Sequence, residues 1–186
     1  NSGASMGCPI CADTRMAVLP RLDLSGGLAG GPSGVDLIRI SLERLLDGGP
    51  GYAAGVVSHG GQQHEADDEY LMTGAATLRA LGEYLSNYAD AKWYRANRTV
   101  IAEKIRLMRA RDLDGDGLIE SKYRTGVSGS GQWSTCWLDV LSFGWKCAWS
   151  NAILYGGLRE MAVGLRRFGD ATGADALEAW SVELKA

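Results

Sequence analysis

Apolar residues recur at three- and four-residue spacing in one stretch of this chain after another, and that repetition constrains the fold more than any single motif. From Val35 to Leu46 the set Val35, Ile38, Leu42, Leu45 and Leu46 follows Pro32-Ser33 and stops at Gly48-Gly49-Pro50, which reads as an amphipathic helix with its start and stop signals. A second stripe of Tyr70, Leu71, Gly74, Leu78, Leu81, Leu85 and Tyr88 begins near Ala66. Asp67, Asp68 and Glu69 stand in its first turn, where acids suit the positive end of the helix dipole. Gly74 and Gly82 inside it are tolerable only where a neighbouring helix packs close. After a short break at 87–90, Trp93, Asn97, Ile101, Ile105 and Met108 carry another stripe, so the two helices form an antiparallel hairpin. Cys147 to Phe168 is apolar on most faces and is expected to be enclosed by protein. Gly169-Asp170-Ala171-Thr172-Gly173 ends it, and Asp175 to Lys185 restarts with one face open to solvent. Thr14 to Leu24 reads as a short helix broken at Pro20. No run alternates with period two, so no sheet is expected.

The expected fold is therefore all-α, six helices in three antiparallel hairpins. In an up-and-down arrangement the connections alternate between the two ends, which puts 24–33, 87–92 and 169–173 at one end and 47–65 and 112–146 at the other. The second group is long and holds both histidines, an acidic cluster and half of the tryptophans. Long loops gathered on a rigid scaffold are the usual place for a site; the plain alternative is that they are merely long.

A length of 186 residues suits a single domain with its own core. A net charge of −3 with scattered Lys and Arg argues against a nucleic-acid footprint, and no apolar run reaches a bilayer span, so neither nucleic acid nor membrane is an expected partner. The compartment stays open, with a lean to the cytoplasm. Cys8 and Cys11 form a lone C-x-x-C without the second half of a zinc site, Cys136 and Cys147 read as small buried thiols, and no disulfide framework, metal or cofactor is expected.

Gln132-Trp133-Ser134-Thr135-Cys136-Trp137-Leu138-Asp139, running on to Phe143-Gly144-Trp145-Lys146 and Trp149-Ser150-Asn151, concentrates four of the six tryptophans. Indole is costly to expose and costly to bury without a partner for its N–H, so such a loop lines a groove for something flat and partly apolar, or else plugs onto its own core. Sugar rings fit the first reading, with Trp133, Trp137 and Trp145 as the platform. Arg111 precedes Asp112-Leu113-Asp114-Gly115-Asp116-Gly117-Leu118-Ile119-Glu120, which begins like a calcium loop but has Tyr123 where the bidentate Glu belongs. The alternative is a turn whose Asp side chains bond backbone N–H groups while its glycines take positive φ. Glycoside cleavage needs a proton donor and a second carboxylate. Asp139 is the best donor, because Trp137, Leu138 and Phe143 can desolvate it; its plain alternative is a turn cap. His64, Glu65, Asp67 and Asp68 could reach the same face to bind hydroxyls, or serve only as first-turn helix acids, and Lys146 could hold a hydroxyl or a carboxylate.

Asp67-Asp68-Glu69-Tyr70-Leu71, the run from Arg111 to Glu120, the Gln132 to Asp139 segment, and Ala148-Trp149-Ser150-Asn151-Ala152 together resemble the six-hairpin glycosidases. That superfamily of (α/α)6 toroids includes glycogen-debranching amylo-α-1,6-glucosidases, α-L-rhamnosidases, trehalases and α-glucosidases. The resemblance spans residues 14–186 and implies about half of a toroidal catalytic domain, with a general acid and base in loops at one end, commonly with inversion. It implies an oligosaccharide or glycoside substrate, a second carboxylate in the absent half, and either a partner that completes the toroid or self-association. In the trehalase-like branch the general acid precedes the Trp-rich segment, where this chain has Gln132. Either Asp139 takes that role here, or Gln132 and its neighbours only bind sugar. The alternative from another class is a non-catalytic glycan-binding or structural helical module.

Overall fold

A computed structural model of the chain describes residues 31–47, 57–59, 62–64, 71–120 and 145–185. Five helices lie among them: α1 (Gly34–Asp47), α2 (Leu71–Asn87), α3 (Ala91–Arg109), α4 (Ala148–Arg167) and α5 (Ala171–Glu183). Their starts are written in local chemistry. Ser33 Oγ accepts the Asp36 N–H at 3.0 Å while the Asp36 carboxylate accepts the Ser33 N–H at 3.4 Å, a reciprocal cap that opens α1. Asp90 caps α3 by accepting the Trp93 N–H at 2.7 Å.

Two features depart from the sequence reading. α5 begins at Ala171 instead of Asp175, because Gly169 takes φ +83° to end α4 and the Asp170 carboxylate at once accepts the Gly173 N–H at 2.9 Å. The polar run between the helices is thus one stop joined directly to one start. A short antiparallel ladder also forms where no sheet is expected: β1 (Val57–His59) pairs with β2 (Gln62–His64), with His59 opposite Gln62 and Val57 opposite His64. Three residues per strand are too few for a period of two to show, and the signal in the sequence is instead the Gly60-Gly61 pair between them, a composition that favours two-residue hairpin connections.

The helices assemble as two hairpins side by side. Along the α2–α4 contact, Gly157 faces the Arg79 backbone, Gly82 faces Glu160 and Met161, and Gly164 faces Leu85 and Ser86. The positions rise together, so α2 and α4 run parallel. Small residues permit this closeness: a Cβ added at Gly82 would stand 2.5 Å from the Met161 nitrogen, and one at Gly164 would stand 2.5 Å from Leu85 Cβ. The expectation that Gly82 answers a close neighbour is therefore met by α4. Ser86 Oγ donates to the Glu160 carbonyl at 3.1 Å, and Arg167 donates to the Leu85 carbonyl at 2.8 Å, closing the seam with polar links.

α3 and α5 run in the same sense and are tied at both ends. Tyr94 near the start of α3 stacks on Phe168 with ring centroids 4.6 Å apart and its hydroxyl lies 3.4 Å from the Asp170 carboxylate, while Arg109 at the end of α3 pairs with Glu183 at 2.6 Å. The short joints 88–90 and 168–170 therefore share one end of the bundle. The end of α3, the start of α4 and the end of α5 meet at the other. Between them lies a core of Leu78, Leu81, Leu85, Ile101, Met108, Leu154, Leu158, Met161, Leu177 and Trp180, continued onto α1 by Ile38 and Leu42 and by the Trp93 indole N–H that Glu43 accepts at 2.9 Å. No helix among the described residues is long and apolar enough to cross a membrane.

Candidate functional site

The chain leaves α3 into the Asp112-Leu113-Asp114-Gly115-Asp116-Gly117 turn, and its three aspartates bring carboxylate oxygens within 4.8 Å of one another. Asp112, whose side chain is 4% exposed, accepts the Gly115 N–H at 2.8 Å and the Gly117 N–H at 3.0 Å, one on each oxygen. Gly115 and Gly117 take φ +81° and +89°, a region that other residues adopt only with strain. Asp116 accepts the Leu118 N–H at 3.0 Å, and the buried Glu120 reaches back to accept the Leu113 N–H at 2.9 Å. The run is a turn tied by its own acids to its own amides, the second of the two readings open from sequence.

Two further oxygens of the turn meet a cation. Lys146 Nζ donates to Asp114 at 2.6 Å and to Asp116 at 2.5 Å. Bonds to these carboxylates hold the lysine pKa well above its ordinary value, first through Asp114 and then Asp116, and the same contact is the main cause that lowers Asp116. Lys146 therefore holds two carboxylates of the protein itself.

One residue earlier, Trp145 takes φ +50°, the sole positive φ outside glycine among the described residues. For a side chain of this size that conformation costs on the order of 1–3 kcal/mol and persists only where the surroundings over-determine it. They do so here. Lys146 is clamped to the turn, the Cys147 N–H donates to the Trp145 carbonyl at 3.1 Å, and Asn151 donates to the Cys147 carbonyl at 3.1 Å.

Asn151 does more than cap. Its amide oxygen accepts the Ile119 N–H at 2.9 Å and its amide nitrogen donates to the Ile119 carbonyl at 3.0 Å, copying the two bonds of a strand partner. Trp180 adds a third link by donating its indole N–H to the Gly117 carbonyl at 2.8 Å, with the Arg109 guanidinium over its ring at 5.0 Å. Turn, α4 and α5 are thereby locked together, and between them opens a cleft of about 450 Å³ lined by Leu118, Lys146, Asn151, Tyr155, Leu184 and Lys185. Trp145 and Trp149, 37% and 49% exposed, stand on the α4 side of this end.

Of the residues singled out from sequence, Lys146 and Trp145 belong to this constellation, and Asp112, Asp114 and Asp116 form its turn. His64 is placed by its backbone in β2. Gln132, Trp133, Trp137, Asp139, Glu65, Asp67 and Asp68 lie outside the described residues, as do the 14–24 segment and Cys8, Cys11 and Cys136. Cys147 is a buried free thiol, as expected. Sequence reading assigned no role to Asn151, Tyr155 or Trp180; the one available signal was a carboxamide inside an otherwise apolar helix. Chemically, the acids of the described part are engaged within the protein: Asp112, Asp114, Asp116 and Glu120 are each committed to backbone amides or to Lys146, and Glu183 to Arg109. Compared with known proteins, the chain matches no family model, no curated protein and no solved structure.

Proposed function

We propose that the chain is part of a carbohydrate-active hydrolase of the six-hairpin glycosidase kind, acting on α-linked glucosides or related oligosaccharides, with Asp139 as general acid and Trp133, Trp137 and Trp145 as the sugar platform. The observation that carries this reading is the meeting, at one end of two parallel hairpins, of the cleft, the strained Trp145 and the start of α4, into which the Trp-rich connection leads. Successive hairpins laid side by side with like helices parallel are also how a toroid of hairpins is built, which supports the partial-toroid architecture. Exposed Trp149 and Val163 on α4 suit either a completing partner or self-association, read by light scattering as a species heavier than the monomer.

The testing experiment is hydrolysis of maltoheptaose by the enzyme that contains this chain, wild type against Asp139→Asn. Loss of general-acid help lowers turnover about 100-fold or more while affinity for the sugar persists. Undiminished turnover removes Asp139 from the chemistry. A second reading, a non-catalytic glycan-binding module, is favoured by one specific observation: every acid of the described turn is already occupied. Binding without turnover in the wild-type enzyme selects it.

A further inference from the structure

The three-aspartate turn and Lys146 are joined by contacts that the proposed sugar chemistry does not use. Asp112 folds the turn, which fixes where the Asp114 and Asp116 carboxylates point. Those two hold Lys146 Nζ, whose side chain is only 16% exposed. The ammonium then lies 5.1 Å from the centroid of the Trp145 ring, within range of a cation–π contact. Trp145 itself has the unfavourable φ of +50°, held further by the Cys147 N–H on its carbonyl and, through Cys147, by Asn151.

We propose that Asp114, Asp116 and Lys146 are positioning residues that hold Trp145 in a left-handed backbone conformation, its indole against the lysine that lines the cleft, so that its face is fixed before a saccharide ring stacks on it. The proposal deepens the glycan reading and rests on it for the ligand. Its physical content is pre-organisation: an aromatic platform that is already oriented loses no rotamer freedom when the ligand arrives. Removing the clamp on Lys146 removes both the cation over the Trp145 ring and the tie that fixes the next residue along the chain, so the indole changes its orientation beside the cleft. The acids of the turn act on the ligand only through this lysine and this tryptophan.

The test uses the 186-residue chain with maltoheptaose as probe and three variants, Trp145→Ala, Lys146→Met and Lys146→Arg. Lys146→Met keeps the aliphatic stem and removes the cation. It is expected to weaken maltoheptaose binding by about two- to tenfold, matching Trp145→Ala, because one oriented aromatic contact is what both lose. Its melting temperature stays within about 2 °C of wild type, since ion pairs to half-exposed carboxylates add little to stability. Lys146→Arg restores affinity. The assigned Trp145 indole N–H resonance shifts in Lys146→Met and returns in Lys146→Arg, a readout that needs no ligand. Full affinity in Trp145→Ala overturns the platform reading itself. Weakened Trp145→Ala beside unaffected Lys146→Met, or a Trp145 resonance that does not move when the cation is removed, overturns the positioning role alone.

Discussion

Replacing Lys104 with methionine should make this protein more stable. Lys104 lies on the inward face of α3 with Tyr94, Ile101 and Met108, it is 1% exposed, and its Nζ has no hydrogen-bond partner among the described residues. Burial lowers its pKa from the ordinary 10.5, opposed only in part by Glu103 on the same helix. A buried donor left unsatisfied costs about 1–3 kcal/mol, more when charged, and Lys104→Met removes that donor while a flexible thioether of similar length fills the same space. The expected gain is therefore about 1–3 kcal/mol at neutral pH, seen as a higher urea midpoint at unchanged slope.

The sign with pH follows from proton binding. Between the lowered folded-state value and 10.5 the unfolded chain holds more protons on Lys104 than the folded one, so wild-type stability rises with pH across that window. The advantage of Lys104→Met is largest below the folded-state value and shrinks toward pH 10.5. Urea melts of both proteins at several pH values read it directly. A variant less stable than wild type at pH 7, with the alkaline rise intact, would refute the assignment of Lys104 as an uncompensated buried cation.

Asn151→Ala strands the Ile119 N–H and carbonyl together in a buried place, and a loss of about 1–3 kcal/mol for each stranded group is expected in chemical denaturation. Gly164→Ala pushes a methyl group into Leu85 Cβ on the facing helix and should cost about 1–3 kcal/mol through overpacking, whereas Gly156→Ala, where a methyl group meets no atom of the described residues within 4 Å, should not destabilise; thermal melts of the pair separate packing from helix propensity. Trp180→Phe keeps most of the ring but leaves the Gly117 carbonyl without its donor, which should lower the melting temperature by a few degrees, on the order of 1 kcal/mol.

What was legible in the sequence is what repeats along one element. The stripes from Val35, Trp93 and Cys147 place α1, α3 and α4 to within a residue or two, because burial of one helical face writes a period into the chain. Gly82 was legible as a packing residue for a related reason: a mid-helix glycine is unfavourable unless another backbone comes close. The site is harder to read because its bonds join residues far apart. Asn151 pairs with Ile119, Trp180 with Gly117 and Lys146 with Asp114, and no local pattern announces a partner about thirty or sixty positions away. The aspartate turn stands between the two cases. Its internal bonds follow from Asp and Gly spacing, but the lysine that completes it does not. The inward-facing ammonium of Lys104 is likewise hidden, since lysine at that spacing ordinarily reads as a solvated position.

Because α2 and α4 point the same way, the amino ends of both helices open toward one side of the molecule. Each carries about half a positive charge from its aligned peptide groups. Any carboxyl group set at that mouth meets a field that favours its ionised form, and staying protonated there requires apolar rings between it and both helix ends.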